Sequence, residues 1–154
     1  MDALELLKQD HRKVAELFKQ VEATEDMKKH QQLFQQIKAE LEAHTHIEEI
    51  ILYPSFEKHE ELKDITLEAY EEHKQVKTLI REIAALSEGS ERFDSKLKVM
   101  GENVEHHVKE EETEMFPKAK KHYDSAQLEQ LGQQMEVAKK EFAKKSRAKT
   151  ASSK

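Results

Sequence analysis

Apolar side chains recur along this chain at intervals of three and four residues, with charged positions between them. At 3.6 residues per turn that spacing lines one face, so each periodic run predicts an amphipathic helix. The first stripe is Leu4, Leu7, His11, Val14, Phe18 and Val21; with Asp2 as N-cap it predicts a helix to about Ala23. The second, from about Asp26 to Tyr53, carries Phe34, Ile37, Leu41, His44, Glu48 and Ile51. The third, from about Asp64 to Leu86, carries Ala69, His73, Val76, Ile80 and Ile83. A compact turn signal, Ser87-Glu88-Gly89-Ser90, separates it from a fourth with Phe93, Leu97, Met100, Val104, His107, Glu111 and Met115. A fifth, entered through Asp124-Ser125, shows Leu128, Leu131, Met135, Ala138 and Phe142. Four long helices with short connections predict an all-α fold, an antiparallel up-down-up-down four-helix bundle with an appended C-terminal fifth helix. Residues 1–142 form that domain, and the Ser- and Lys-rich residues 143–154 are expected to be a disordered basic tail.

Six positions on these stripes are polar: His11, His44, Glu48, His73, His107 and Glu111. They fall in an internal repeat, residues 1–60 against 63–123. His44-Thr45-His46-Ile47-Glu48-Glu49, followed by Tyr53-Pro54, returns as His107-Val108-Lys109-Glu110-Glu111-Glu112, followed by Phe116-Pro117. Each copy has one more His upstream, His11 and His73, in similar surroundings. A glutamate facing a bundle core without a partner costs several kcal/mol, so these groups must pair with one another or bind cations. Counted from the turns at about 1.5 Å per residue, the four imidazoles lie within roughly one or two helical turns of a common layer. His44 and Glu48, like His107 and Glu111, stand at i and i+4 and project from one face.

Imidazoles and carboxylates suit Zn, Fe, Mn or Ni, and four His with two Glu are too many ligands for one tetrahedral zinc. The set fits a dinuclear centre with two His on each metal and both glutamates bridging, open to a further bridge and an exogenous molecule. Composition sets the surroundings. No cysteine is present, which excludes thiolate ligands, thiol catalysis and a disulfide framework. No run of 18 apolar residues spans a membrane. The N-terminus is amphipathic and carries acid, unlike a secretory signal, so the cytoplasm is expected. The net charge is −6, and five cations (Lys144, Lys145, Arg147, Lys149, Lys154) sit in the last twelve residues, leaving about −11 on the remainder. Such a body is not expected to bind nucleic acid or an anionic membrane.

With its order H…H-x-x-x-E…H…H-x-x-x-E and its two aromatic-Pro endings, the chain resembles the hemerythrin-like proteins of the bacterial type, with an HHE cation-binding domain, over residues 1 to about 140. The resemblance implies a non-haem di-iron centre, two Fe ions joined by an oxo or hydroxo bridge and held by His11, His44, Glu48, His73, His107 and Glu111. Mn or Zn is the lesser expectation. It implies a protein that binds or senses O2 or another small oxidant, or handles iron. A sensor would need a separate output protein. A di-iron enzyme degrading peroxide or reducing a small oxidant is the alternative, and a metal-free helical interaction bundle with a polar core is a second one. Oxygen-carrying hemerythrins resemble this chain except for a further His where Lys77 stands, which turns the expectation from oxygen carriage toward oxidase, peroxide or iron-sensing chemistry. They also space the fourth-helix carboxylate one residue further on, at Glu112, whereas the stripe phase selects Glu111.

Several other residues have weaker claims. Tyr70, one turn before His73, is placed to bond the bridge, to bind metal or to be a core-rim tyrosine. Lys77 is expected to reach water or to donate toward the site. Glu49 and His46 lie off the stripe, so Glu49 is expected to be dispensable for metal loading and His46 to face solvent. His106 is off the stripe as well, and His30, His59 and His122 lie near helix ends without a partner pattern. Gly101 could open a channel or admit a neighbouring helix. Pro54 and Pro117 are expected to kink their helices just past the site.

Overall fold

A computed structural model of the chain describes residues 1–152, with side chains through Lys149. Helix α1 (Ala3–Glu22) starts where Asp2 accepts a 2.9 Å hydrogen bond from the Glu5 amide. Helix α2 (Met27–Ile47) starts where Asp26 accepts from Lys28 N–H. It runs on through a π-helical turn, Glu48–Leu52, into the short α3 (Tyr53–Phe56). Helix α4 spans Glu60–Ala84, opening four residues before the expected start. Gly89, at φ +81°, makes the left-handed turn toward α5 (Phe93–Glu110). A second π turn, Glu111–Met115, then leads to α6 (Phe116–Ala119). Helix α7 (Ser125–Ser152) closes the described chain.

The two π turns move the irregularity expected at the prolines. Pro54 has no N–H, and its ring would strike the Ile50 carbonyl in an unbroken α-helix. The backbone widens: Tyr53 N–H bonds to the Glu48 carbonyl, five residues back, and Phe116 N–H bonds to the Glu111 carbonyl in the same way. The irregularity therefore begins on the glutamates themselves, not past the site. The tail is a correction, since α7 continues through residues 143–152 as helix. Ala, Lys and Arg are good helix formers, and charge alone does not break the ladder. Residues 153 and 154 of the expected tail lie outside the described residues.

Helix α1 packs along α2 and α4 along α5, while α7 lies over α1 and α2. The bundle core is in two parts. One cluster joins Val14, Leu17, Leu33, Phe34, Ile37, Ile80, Ile83, Leu97 and Met100 toward one end. The other joins Leu4, Leu7, Ile47, Leu52, Tyr53, Phe56, Met115, Phe116 and Met135, the last from α7. Between them are buried Asp10, His11, His44, Glu48, His73, His107 and Glu111. Gly132 lets α7 close on the start of α1, because a Cβ there would lie 2.3 Å from the Met1 carbonyl oxygen. Among the described residues no helix is long and apolar enough to cross a membrane.

Candidate metal centre

The polar layer is built from the helix register upward. His11 comes from α1, His44 from α2, His73 from α4 and His107 from α5, and each π turn opens on a glutamate. All six side chains converge. Glu48 Oε1 lies 3.2 Å from His44 Nε2 and 3.0 Å from His73 Nε2. Glu111 lies 3.1 Å from His11 Nε2 and 3.3 Å from His107 Nε2. Two sets of four ligand atoms result, His11–His44–Glu48–Glu111 and Glu48–His73–His107–Glu111, each with its atoms within 4.8 Å of one another. Both glutamates belong to both sets.

The outer ring nitrogens reveal what stripe phase did not. Nδ1–H of His11 donates to Glu112 at 2.6 Å, of His44 to Asp10 at 3.0 Å, of His73 to Glu49 at 2.7 Å and of His107 to Glu72 at 2.6 Å. Four carboxylates thus fix four rings with Nε2 facing inward, the arrangement that orients metal-binding histidines. In each repeat one partner precedes the upstream His (Asp10, Glu72) and one follows the central Glu (Glu49, Glu112). This regularity was present in the sequence as D/E-H and E-E pairs. Glu49, which the stripe phase set aside as dispensable for metal loading, holds His73. Glu111 enters the cluster, as the stripe phase selects, and Glu112 takes the outer position on His11.

Several buried atoms here have no hydrogen-bond partner: His11 Nε2, His44 Nε2, both oxygens of Glu48 and Oε1 of Glu111. Nitrogen and oxygen approach closely without hydrogen-bond geometry, so their lone pairs face a shared space. A cation is the occupant that satisfies such a donor set, and the N and O ligands suit a first-row transition metal. Without one, protons do part of this work. Burial opposes a charge on His44, but the Glu48 carboxylate and the Asp10 bond overcome it and raise the ring to about 10. His107 is raised in the same sense, against its burial, by Glu111 and Glu72. Glu111 is held well below the usual carboxylate range: burial would raise it, but His107, Glu48 and His11 together outweigh that effect.

One more group enters the centre unannounced. The Tyr53 hydroxyl donates to Glu111 Oε2 and lies 3.3 Å from His73 Nε2. Burial, then the charges of Glu111 and Glu48, push its phenol well above the ordinary value, so it keeps its proton. Tyr70, the tyrosine singled out above, packs edge-on against the Tyr53 ring at 5.2 Å, and burial and Glu57 push it up to about 12. Stripe phase could not find Tyr53, since position i+5 of an α-helix lies about 140° round from position i. The π turn brings it back to the face of Glu48.

The remaining expectations resolve case by case. Lys77 donates to Glu49 at 2.8 Å, so it touches the outer carboxylate and not the centre. His46 is covered by Phe142 of α7, with ring centroids 4.7 Å apart, and does not face solvent freely. His106 is exposed beside Glu72 and Glu110. His30 joins the end of α1 to α5, donating to the carbonyls of Val21 and Thr24 and to Asp94. His122 donates to Glu61 and stacks obliquely on His59. Above the four imidazoles a chamber of about 20 Å³, room for one water-sized molecule, is walled by Val14, Leu41, Val76, Val104 and Val108. A groove of about 770 Å³ between α1 and α5 shares His11, Val14, Val104 and Val108 with it. Gly101 floors that groove beneath the Phe18 ring, which an added Cβ would meet at 3.2 Å.

This bundle with its buried His–Glu layer defines a cation-binding helical domain. The chain belongs to the hemerythrin HHE cation-binding domain family, whose model matches residues 2–119. Over 139 residues, 90% of the chain, it is 32% identical to a protein of Nostoc sp. named DNA nickase, and it spans 39% of that protein's length. Over 133 residues, 85% of the chain, it is 28% identical to an uncharacterized hemerythrin-like protein of Schizosaccharomyces pombe, spanning 66% of that length. In fold it is similar to the crystal structure of a hemerythrin HHE cation-binding domain-containing protein from Mycobacterium kansasii. That likeness has a TM-score of 0.79 at 23% identity and covers 92% of this chain and 87% of the other.

Proposed function

We propose that the chain is a di-iron protein that binds or senses dioxygen or another small oxidant. The observation that carries this reading is the sharing of Glu48 and Glu111 by two four-ligand sets with inward, unpartnered lone pairs. His11 and His44 would hold one ion, His73 and His107 the other, and the two carboxylates would bridge them. Such a pair, when bound, would supply electrons reversibly to dioxygen or, with O–O cleavage, to peroxide. The chain's own residues do the rest. Asp10, Glu49, Glu72 and Glu112 orient the rings, the valine-lined chamber excludes bulk water, and Tyr53 holds a proton beside Glu111. That proton favours a second reading at the same centre, turnover of peroxide, since splitting an O–O bond consumes protons.

Strand cleavage in DNA, suggested by the name of the Nostoc relative, fits less well, because the acidic body repels polyphosphate. Anaerobic reconstitution with Fe(II) followed by metal analysis tests the proposal, with two iron atoms per chain expected. Exposure to air or peroxide should then bring up new charge-transfer absorption, while supercoiled plasmid stays intact. A folded, pure chain that holds one ion at most would overturn the reading.

A further inference from the structure

Two of the four outer carboxylates are themselves held by a lysine, one in each ligand set. On the His73–His107 side, Lys77 of α4 donates to Glu49, which holds His73. On the His11–His44 side, Lys139 donates to Asp10 Oδ1 at 2.5 Å, while Asp10 Oδ2 holds His44. Lys77 belongs to the bundle. Lys139 belongs to α7, which lies outside the repeat and beyond the matched family residues 2–119. Position 15, the counterpart of Lys77 in the first repeat, is Ala15, so the internal symmetry offers no lysine there and the appended helix supplies one elsewhere.

Asp10 is buried, 6% exposed, in a layer that already holds Glu48 and Glu111. A carboxylate in that position needs a counter-cation and both of its oxygens occupied. Lys139 sits one turn beyond the fully buried Met135, and it satisfies both needs only while α7 is docked. Its Nζ fixes the rotation of the Asp10 carboxylate, and the carboxylate fixes the His44 ring. Resting on the di-metal reading above, we propose that Lys139 is a positioning residue through which α7 is coupled to occupancy of the His11–His44 half of the centre. By reciprocity, a cation in that half tightens the docking of α7, and release of α7 loosens that cation. In the His73–His107 half the outer carboxylate Glu49 is held by Lys77 of the bundle, so that half does not depend on the Lys139 bond. Helix α7 is then the element that reports the state of the centre.

The experiment uses the full chain and Zn(II), with affinity read by competition with a chromophoric chelator. His107→Gln isolates the His11–His44 half and His11→Gln isolates the other. Lys139→Met keeps the apolar stem and removes the bond. It should weaken Zn(II) by about tenfold in the first background, the lower end of what partners of metal-binding histidines contribute, with little change in the second. Lys139→Arg should restore affinity, and Lys77→Met should show the opposite preference. Hydrogen exchange on the otherwise unaltered chain supplies the second measurement. Zn(II) should slow exchange of the α7 amides, and Lys139→Met should abolish that slowing while Lys77→Met preserves it. Failure of the unaltered chain to bind Zn(II) would count against the metal reading itself. Zn(II) binding with α7 exchange unchanged, or with Lys139→Met acting equally on both halves, would overturn the coupling alone.

Discussion

Tyr53 and Phe116 occupy the same place in the two repeats and differ by one oxygen atom. Each ring stacks on an imidazole, Tyr53 on His73 with centroids 5.2 Å apart and Phe116 on His11 at 6.2 Å. Only Tyr53 places a hydroxyl on Glu111, so the halves of the centre differ in proton supply. Tyr53→Phe should retain two metals per chain, since the phenol is not in either ligand set. Reaction of the loaded protein with peroxide should slow by about tenfold or more, as expected for loss of a positioned proton donor, and stopped-flow absorbance reads the change. Glu49 is the other informative residue. It holds His73, and although burial alone would raise it, its bonds to His73 and Lys77 bring it down to about 2. Glu49→Ala should weaken metal binding by about tenfold to a hundredfold, while the exposed Glu114→Ala leaves it unchanged in a metal titration.

At the level of elements, the π turns and the glycines do the positioning. Each π turn adds a residue to the helix at the glutamate, which puts Glu48 and Tyr53, or Glu111 and Phe116, on one face above a proline. Two glycines permit close approach but with opposite tolerance. A Cβ on Gly132 would strike backbone, the Met1 carbonyl oxygen at 2.3 Å and Asp2 C at 2.8 Å, so one helix must move. Gly132→Ala should cost about 1–3 kcal/mol in urea unfolding, the scale of an overpacked contact. The three atoms nearest a Cβ on Gly101 all belong to the Phe18 ring, which can turn aside. Gly101→Ala gains about 1 kcal/mol of helix propensity, so its unfolding midpoint should stay level or rise.

For the whole molecule the metal-free centre sets the response to pH. His44, His73 and His107 are raised above 6.5 by their carboxylates against the opposing effect of burial. Their stabilisation is complete below pH 6.5 and is lost as pH climbs through the folded values, about 10 for His44. Glu49, Glu72, Asp10 and Glu111 are lowered, so their contribution is present above their ordinary values near 4 and is lost as pH falls, toward about 2 for Glu49. The metal-free protein should therefore melt highest between about pH 4.5 and 6.5 and lose thermal stability toward pH 10. Metal loading displaces the imidazole protons. Calorimetry in buffers of different ionisation heat should then detect proton release, and the alkaline decline in melting temperature should disappear.

Much of this was legible in the chain because period and polarity are local properties. Polar residues at His11, His44, Glu48, His73, His107 and Glu111 interrupt apolar stripes, and the stripe phase alone separates Glu111 from Glu112. The bundle, its fifth helix and the convergence of those six side chains follow from helical geometry applied to the repeat. What only the tertiary structure decided lies off that periodicity. Whether the turn before a proline widens is not written in the period, and widening carried Tyr53 into the centre. The outer carboxylates bond across helices, Asp10 to His44 and Glu112 to His11, at sequence separations of 34 and 101 that no local pattern pairs. Lys139 reaches Asp10 across 129 residues because Gly132 lets α7 settle on α1. Stripe phase says which residues face inward, and only packing says whom they meet.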